Sequence, residues 1–338
     1  MVNDKILLSH GSGGRLTHEL VEKLFKKHFS NPALNSLDDS AELKLAASGN
    51  AKLAFTTDSF VVNPIFFPGG DIGRLSVCGT VNDLAMKGAK PLWLSVAAII
   101  EEGFEIKALE QIAGSIALTA REAGVLVVTG DTKVVEKGKA DRLFLTTSGI
   151  GVIGKGINIS GKNAKPGNMV LINGTIGDHG IAVMSARNDF KLTSNIKSDC
   201  APLNELTSKI ISTCGGINVL RDPTRGGVAT TLNEIAAASN VGIIIEERLI
   251  PLKKEVKAAC ELLGFDPLYV ANEGKLLAIA PGSFSNKVLS AMKNDRHGKE
   301  ASVIGMVVKS PKGVWLKTNN GALRPLIMLE GEQLPRIC

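Results

Sequence analysis

Five aspartates stand beside residues that turn the chain or bond phosphate: Asp39 in LDDSAEL, Asp58 in TTDSFVV, Asp83 in GTVNDLAMKGAKP, Asp131 in VTGDTKVV and Asp222 in LRDPTRGGVA. Singly, each would serve as a turn or helix cap. As a set of carboxylates without histidine or cysteine partners, they suit an oxygen-bound Mg2+ on a nucleotide rather than zinc. Two glycine turns could offer backbone amides to phosphate: HGSGGR, with Gly11, Gly13 and Gly14, and DPTRGGV, with Gly226 and Gly227. The second opens a helix, whose N-terminus favours anions. Arg225 adds a charge-assisted donor. Lys133 in GDTK is either a phosphate partner or a solvated cation, and Glu273 in VANEGKL either a general base or an inert loop carboxylate. The sequence closes on Cys338, in LPRIC.

These residues need elements to hold them. HGSGGRLTHELVEKLFKKHF is a glycine turn running into an amphipathic helix, with Leu16, Leu20, Leu24 and Phe25 at helical spacing. On that helix His18 and His28 are expected at the surface, while His10 adjoins the turn. AKLAFTTDSFVV reads as a strand that presents Asp58 near its end, and residues 72–87 as a helix stopped by Gly88 and Pro91. PLWLSVAAII is a strand, 106–122 a helix, GVLVVTGDT a strand followed by a turn, and RLFLTTSGIGVIG a strand. Within the last, GIGVIG (149–154) matches a dinucleotide-binding pattern, but no helix can follow it and no acidic residue stands about 20 positions on.

GKNAKPGN is a loop between halves. Beyond it, MVLINGTIG, VGIIIEERL, KLLAIA and ASVIGMVVK read as strands. Helices are expected from DHGIAVMSARN and near 204–213, 226–239, 252–263 and 283–293. From VWLKTNNGALRP onward the pattern is a strand plus a tail. The 338 residues suit two domains of about 150 residues each, and the mixed pattern makes them α/β or α+β.

Composition excludes several classes. Aromatics are only 4%, which argues against base stacking on single-stranded nucleic acid. The net charge of +6 is spread along the chain and fits a phosphate ligand. MVNDKILLSH lacks the form of a signal peptide, and LWLSVAAII falls short of the ~20 residues of a membrane span. The five cysteines are scattered, without a CxxC pair, so a reduced, cytoplasmic protein with an available Cys338 thiol is expected.

Taken together, HGSGG, TTDSFVVNPIFFPGGDIG, GTVNDLAMKGAKP, VTGDTKVV, RDPTRGGVATTLNE and the closing PRIC resemble, over essentially the whole chain, the HypE family of hydrogenase maturation proteins, the carbamoyl dehydratases. The middle motifs alone fit the wider superfamily of aminoimidazole ribonucleotide synthetase, selenophosphate synthetase and thiamine-phosphate kinase. The closing cysteine narrows the resemblance to one family. It implies a two-domain aminoimidazole ribonucleotide synthetase-like fold, α/β plus α+β. Residues 1–158 would bind ATP and dimerise, 159–318 would form the C-terminal α+β domain, and 319–338 a mobile tail that brings Cys338 to the site.

The resemblance further implies that a partner carbamoyltransferase loads Cys338, that ATP and Mg2+ drive dehydration of the S-carbamoyl group to a thiocyanate, and that the cyanide passes to hydrogenase iron through other maturation proteins. The N-terminal domains would pair in a homodimer, with ATP near their interface. By motif match Asp39, Asp58, Asp83 and Asp222 become metal-phosphate candidates. Gly11, Gly13, Gly14, Asp131, Arg225, Gly226 and Gly227 become nucleotide candidates, and Asp83, Glu273 and Lys133 candidates for proton handling. Asp83 stands in two roles. The competing readings are another ATP enzyme of the superfamily, such as a selenophosphate synthetase or a small-molecule kinase, and a thiol-carrier scaffold without ATP chemistry.

Overall fold

The computed structural model describes residues 14–25, 35, 37–44, 52–187, 195–213, 216–329 and 336–338. Gly11, Gly13, His10 and His28 lie outside these residues. A short helix, α1 (Arg15–Leu20), continues into a π-helical turn at Val21–Phe25. Its first amide, of Arg15, bonds the Leu329 carbonyl at 2.8 Å.

The first sheet is built from β1 (Ala41–Lys44), β2 (Lys52–Phe60), β5 (Ala89–Glu101), β6 (Leu126–Val135) and β7 (Leu143–Ile153); a separate small ribbon pairs β3 (Phe66–Phe67) with β4 (Gly70–Asp71). Among the described residues the first sheet runs in the order β1-β2-β7-β5-β6. Neighbours are antiparallel except β5 and β6, which are parallel and joined through helix α3 (Ile106–Ala123). A parallel pair needs such a crossover.

Helix α2 (Ile72–Met86) follows β4 and packs on this sheet. Asp71 caps it by accepting the Arg74 amide at 2.9 Å, and Gly88, at φ +73°, turns the chain out of it. Gly149 lets α2 lie close: a Cβ there would meet Thr80 Cγ2 at 2.7 Å. Within GIGVIG, Gly149 therefore serves helix-on-strand packing, while Gly151 lets β7 approach the Lys90 carbonyl of β5.

The second sheet contains β8 (Asn168–Ile172), β9 (Val219–Arg221), β10 (Gly242–Glu246), β11 (Leu277–Pro281), β12 (Ser302–Val308), β13 (Gly313–Lys317) and β14 (Leu323–Leu326), in the order β14-β13-β10-β12-β8-β11-β9. Its helices are α4 (Asp178–Ser185), α5 (Asn204–Thr213), α6 (Gly227–Ser239), α7 (Lys254–Leu263) and α8 (Ser285–Lys293). Each starts and stops within a few residues of the sequence expectation. The architecture is the expected α/β plus α+β, in an aminoimidazole ribonucleotide synthetase-like arrangement.

Two expectations need correction. GDT is not a turn after a strand: Asp131 and Lys133 lie inside β6, which runs on to Val135. Nor is the whole of 319–338 a tail, since Leu323–Leu326 pairs with β13 as an edge strand. The last three residues, Arg336–Cys338, lie against the segment that follows β2. Val61 N donates to Cys338 O at 3.3 Å and Asn63 N to Arg336 O at 3.1 Å. Ile337 is 1% exposed and belongs to a core shared by both halves, with Phe60, Leu75, Ile181, Val183 and Val270. No helix among the described residues is long and apolar enough to cross a membrane.

Candidate active site

Four segments from both halves converge at the edge of α2. Asp39 sits in the loop before β1, Asp83 on α2, and Asp222 directly after β9. One carboxylate oxygen from each lies within 4.8 Å of the others. Thr56, on β2, ties the first two together: its hydroxyl donates to Asp83 Oδ2 at 2.7 Å and approaches the Asp39 carbonyl at 3.1 Å. Asp58, two residues along the same strand, repels Asp83 and Asp222 electrostatically while the Arg225 charge favours its anionic form. Its carboxyl would lie 3.5 Å from a Cβ on Gly79 of α2.

Burial pushes all four carboxyls above the usual range, and repulsion from neighbouring carboxylates adds to it at Asp39, Asp83 and Asp222; Asp39 and Asp83 lie far above the range and Asp222 at about 6. Four oxygen donors that resist ionisation together fit a hard divalent cation, whose charge would reverse that penalty. The neighbouring Asp38 serves structure instead. It pairs with Lys87 at 2.6 Å and accepts from Ser160 and the Gly161 amide, joining the two halves.

Residues that the sequence did not single out hold this cluster in place. Arg221 Nε lies 2.7 Å from Asp39 Oδ1, off the N–H direction, while its other end bonds Glu234 on α6 at 2.5 Å. Glu234 also meets His18 Nε2 at 2.9 Å, so the half-buried His18 is an anchor for α1 rather than a solvent-facing residue. The side chain of Asn272 fixes the DPTRGG loop, donating to the Pro223 carbonyl at 2.9 Å and accepting the Gly177 amide at 2.8 Å.

Next to Asn272, Glu273 is 3% exposed, and its Oε1 is buried without a hydrogen-bond partner among the described residues. Burial first, then the negative charge of the nearby aspartates, holds its carboxyl well above the usual range. Its backbone is fixed by Asp199, which accepts both the Glu273 and Gly274 amides at 3.1 Å and pairs with Lys275 at 2.8 Å. A buried carboxyl with an unused oxygen and a raised pKa is suited to proton transfer near neutral pH.

The glycine turns behave unequally. Gly14 precedes α1 as its N-cap. Gly226 and Gly227, at φ +76° and +61°, open α6 as expected. The Gly227 amide, however, donates to the Thr224 carbonyl at 3.0 Å, so it is committed inside the turn. A Cβ on Gly227 would meet the Leu268 carbonyl at 2.5 Å; this glycine permits close approach and does not cradle a ligand through its own N–H.

Asp131 and Lys133 stand apart from the cluster within one chain. They face solvent on edge strand β6, 3.5 Å from each other. Asp131 is level with Ala97, Thr146 and Ser59 across the sheet. Three strand spacings, about 14 Å, therefore separate it from β2.

Comparison with known proteins follows this geometry. Residues 37–153 match the AIR synthase related protein N-terminal domain and 165–316 its C-terminal domain. The chain is 49% identical over 335 residues to the carbamoyl dehydratase HypE of Cupriavidus necator, covering 99% of this chain and 95% of that one. The HypE–HypF complex has a chain that superposes with a TM-score of 0.87 at 52% identity, covering 92% of this chain and 99% of that one. A HypE crystallised with ATP superposes at 0.82 with 46% identity, covering 99% and 100%. With both domain models matched in order and relatives aligned along nearly their full length, the chain belongs to the HypE family of the AIR synthase superfamily.

Proposed function

We propose that this chain is an ATP-dependent carbamoyl dehydratase that acts on its own Cys338, converting an S-carbamoyl group to a thiocyanate. The observation that carries the reading is the docking of the last three residues. Ile337 is buried, and Cys338 O accepts from Val61 N, just beyond the strand that bears Asp58. At about 3.4 Å per residue, Val61 is roughly 10 Å from Asp58 along the chain, a gap that a carbamoylated side chain and a nucleotide phosphate together can bridge.

The overall change takes S–C(=O)–NH2 and ATP to S–C≡N, ADP and phosphate. When bound, Mg-ATP supplies the phosphoryl group that makes the carbamoyl oxygen able to leave. Asp39, Asp83 and Asp222, with Asp58, would hold the cation; the convergence of the first three carboxylates supports this role for Asp83. Arg225, whose charge acts on Asp58, would face the phosphates. Glu273 then takes an N–H proton from the substrate nitrogen, since its buried Oε1 has no partner among the described residues.

Lys133 enters through a second copy. Edge strand β6 is exposed along most of its length, with Leu126 at 66%, Val128 at 57% and Val134 at 68%. An apolar, unpaired edge is a template for pairing, so a homodimer through β6 would carry Asp131 and Lys133 to the neighbouring copy's nucleotide. The HypE–HypF complex supports a protein partner, taken here to be the carbamoyltransferase that loads Cys338. Maturation proteins of the hydrogenase iron site would accept the cyanide, in the cytoplasm.

The test is a mass measurement on protein carbamoylated at Cys338. Mg-ATP should remove about 18 Da, one water, as phosphate leaves with the activated oxygen. An unchanged mass with ATP untouched would sink the reading.

A further inference from the structure

The docked tip is gripped at a main-chain oxygen of each of its three residues. Arg336 O receives Asn63 N at 3.1 Å and Arg187 Nη2 at 2.8 Å. Arg187 Nε simultaneously donates to Asn63 O at 2.8 Å, so one guanidinium spans the tip and the segment beside it. Cys338 O receives Val61 N. Between them, Ile337 O lies 3.0 Å from Nε2 of His179, a side chain on α4 with no exposed surface.

The chemistry of that contact has one direction. A carbonyl only accepts, so His179 Nε2 must carry the hydrogen. Burial disfavours the charged imidazolium and keeps the ring neutral. Its Nδ1 is then a bare acceptor, and Ser198 Oγ is 2.8 Å away to donate to it. Ser198 Oγ in turn accepts the Cys200 amide at 3.1 Å. A relay of donors thus runs from Cys200 N–H through Ser198 and His179 to Ile337. The ring is further fixed by the edge-on Phe67 ring, 5.4 Å between centroids.

We propose that His179 is a positioning residue for the dehydration, a peg that sets the register of the tip by reading the Ile337 carbonyl, and thereby aims the Cys338 side chain at the site. This rests on the reading that Cys338 carries the substrate. The peg recognises backbone rather than side chain, so it discriminates position along the tail. A slip of one residue would offer His179 either the wrong carbonyl or the Cys338 carboxylate, and would draw Ile337 out of its core pocket. Arg336, at φ +58°, is a non-glycine residue in the left-handed region, as expected where neighbouring contacts over-determine one placement.

The test reads tail position without turnover. Iodoacetamide alkylation of Cys338 in the full chain, mapped by peptide mass spectrometry, should be about five- to tenfold faster in His179→Phe, the loss of one hydrogen bond from the docked state. Phenylalanine is somewhat larger than histidine but keeps an aromatic ring against Phe67 while removing both ring nitrogens. His179→Gln, which restores an N–H donor, should bring the rate back towards the parent value. Mg-ATP binding should be equal in all three. Equal alkylation in His179→Phe and parent would overturn the proposal.

Should His179→Phe fail to fold, 15N spectra of the parent decide: the Nε2–H tautomer is required, and an Nδ1–H tautomer would overturn it. Failure of the dehydratase reading shows separately, as no mass loss in the carbamoylated parent whatever the alkylation rates.

Discussion

At the scale of the residue, the site is a set of carboxyls held in an unfavourable charge state. Glu273 is the sharpest case, buried with one oxygen unused. Glu273→Gln should lower the single-turnover dehydration rate by about 10²- to 10⁴-fold, the usual contribution of a positioned base, with Mg-ATP affinity retained. In the parent the rate should rise with pH as Glu273 loses its proton, and Gln should flatten that rise. Asp222 makes a stability prediction. Its carboxyl titrates at about 6 in the fold against an ordinary value of 3.8, so the folded state holds the extra proton between them. The stabilisation is complete below the unfolded value and is lost as pH rises through the folded one. Without Mg2+, Tm should therefore fall as pH rises through about 6, and Asp222→Asn should remove most of that slope. Carboxyls with lowered pKa, such as those of Asp199 and Asp295, lose their contribution only in more acid solution.

At the scale of the element, helices were legible because periodic apolar residues and their glycine or proline stops are local signals. The sequence pattern predicts one helix over 72–87, and α2 runs Ile72–Met86. The aspartates were legible as types, but their convergence needed β2, α2 and β9 to be brought together. Arg221, Glu234 and Asn272 lie inside the quoted segments RDPTRGGVATTLNE and VANEGKL, and Asp199 outside any, but nothing local marked them as anchors, since their partners Asp39, His18, Gly177 and Lys275 are fixed by the fold. Asp131 was misplaced for a specific reason. Gly130 signalled a turn, yet a Cβ there would meet the Val96 carbonyl at 2.1 Å. That glycine serves close strand approach inside β6. Gly227 makes the same point at the head of α6, with Leu268 O and Val270 O both within 2.8 Å of a built Cβ. Gly227→Ala should cost about 2–4 kcal/mol, combining left-handed strain with overpacking, as measured by urea unfolding.

At the scale of the whole molecule, the pairing of β6 has a test that no single variant supplies. If Lys133 of one copy serves Glu273 of the other, Lys133→Ala and Glu273→Gln proteins, each impaired alone, should complement when mixed. Random exchange should restore about a quarter of the parent activity, because half the dimers then hold one intact site of two. If both residues act within one chain, mixing should restore nothing. Under the proposed chemistry, the buried Ile337 has its own consequence for when a group carried on Cys338 could be handed on. Covering such a side chain stabilises the docked tip by about 1.5–3 kcal/mol, which holds the released form about 10- to 100-fold in the minority. Release is thus a local opening of the protein's own interior. An acceptor that waits for it meets only that small population, whereas one that binds the departing isoleucine along with the cysteine draws the load out by mass action.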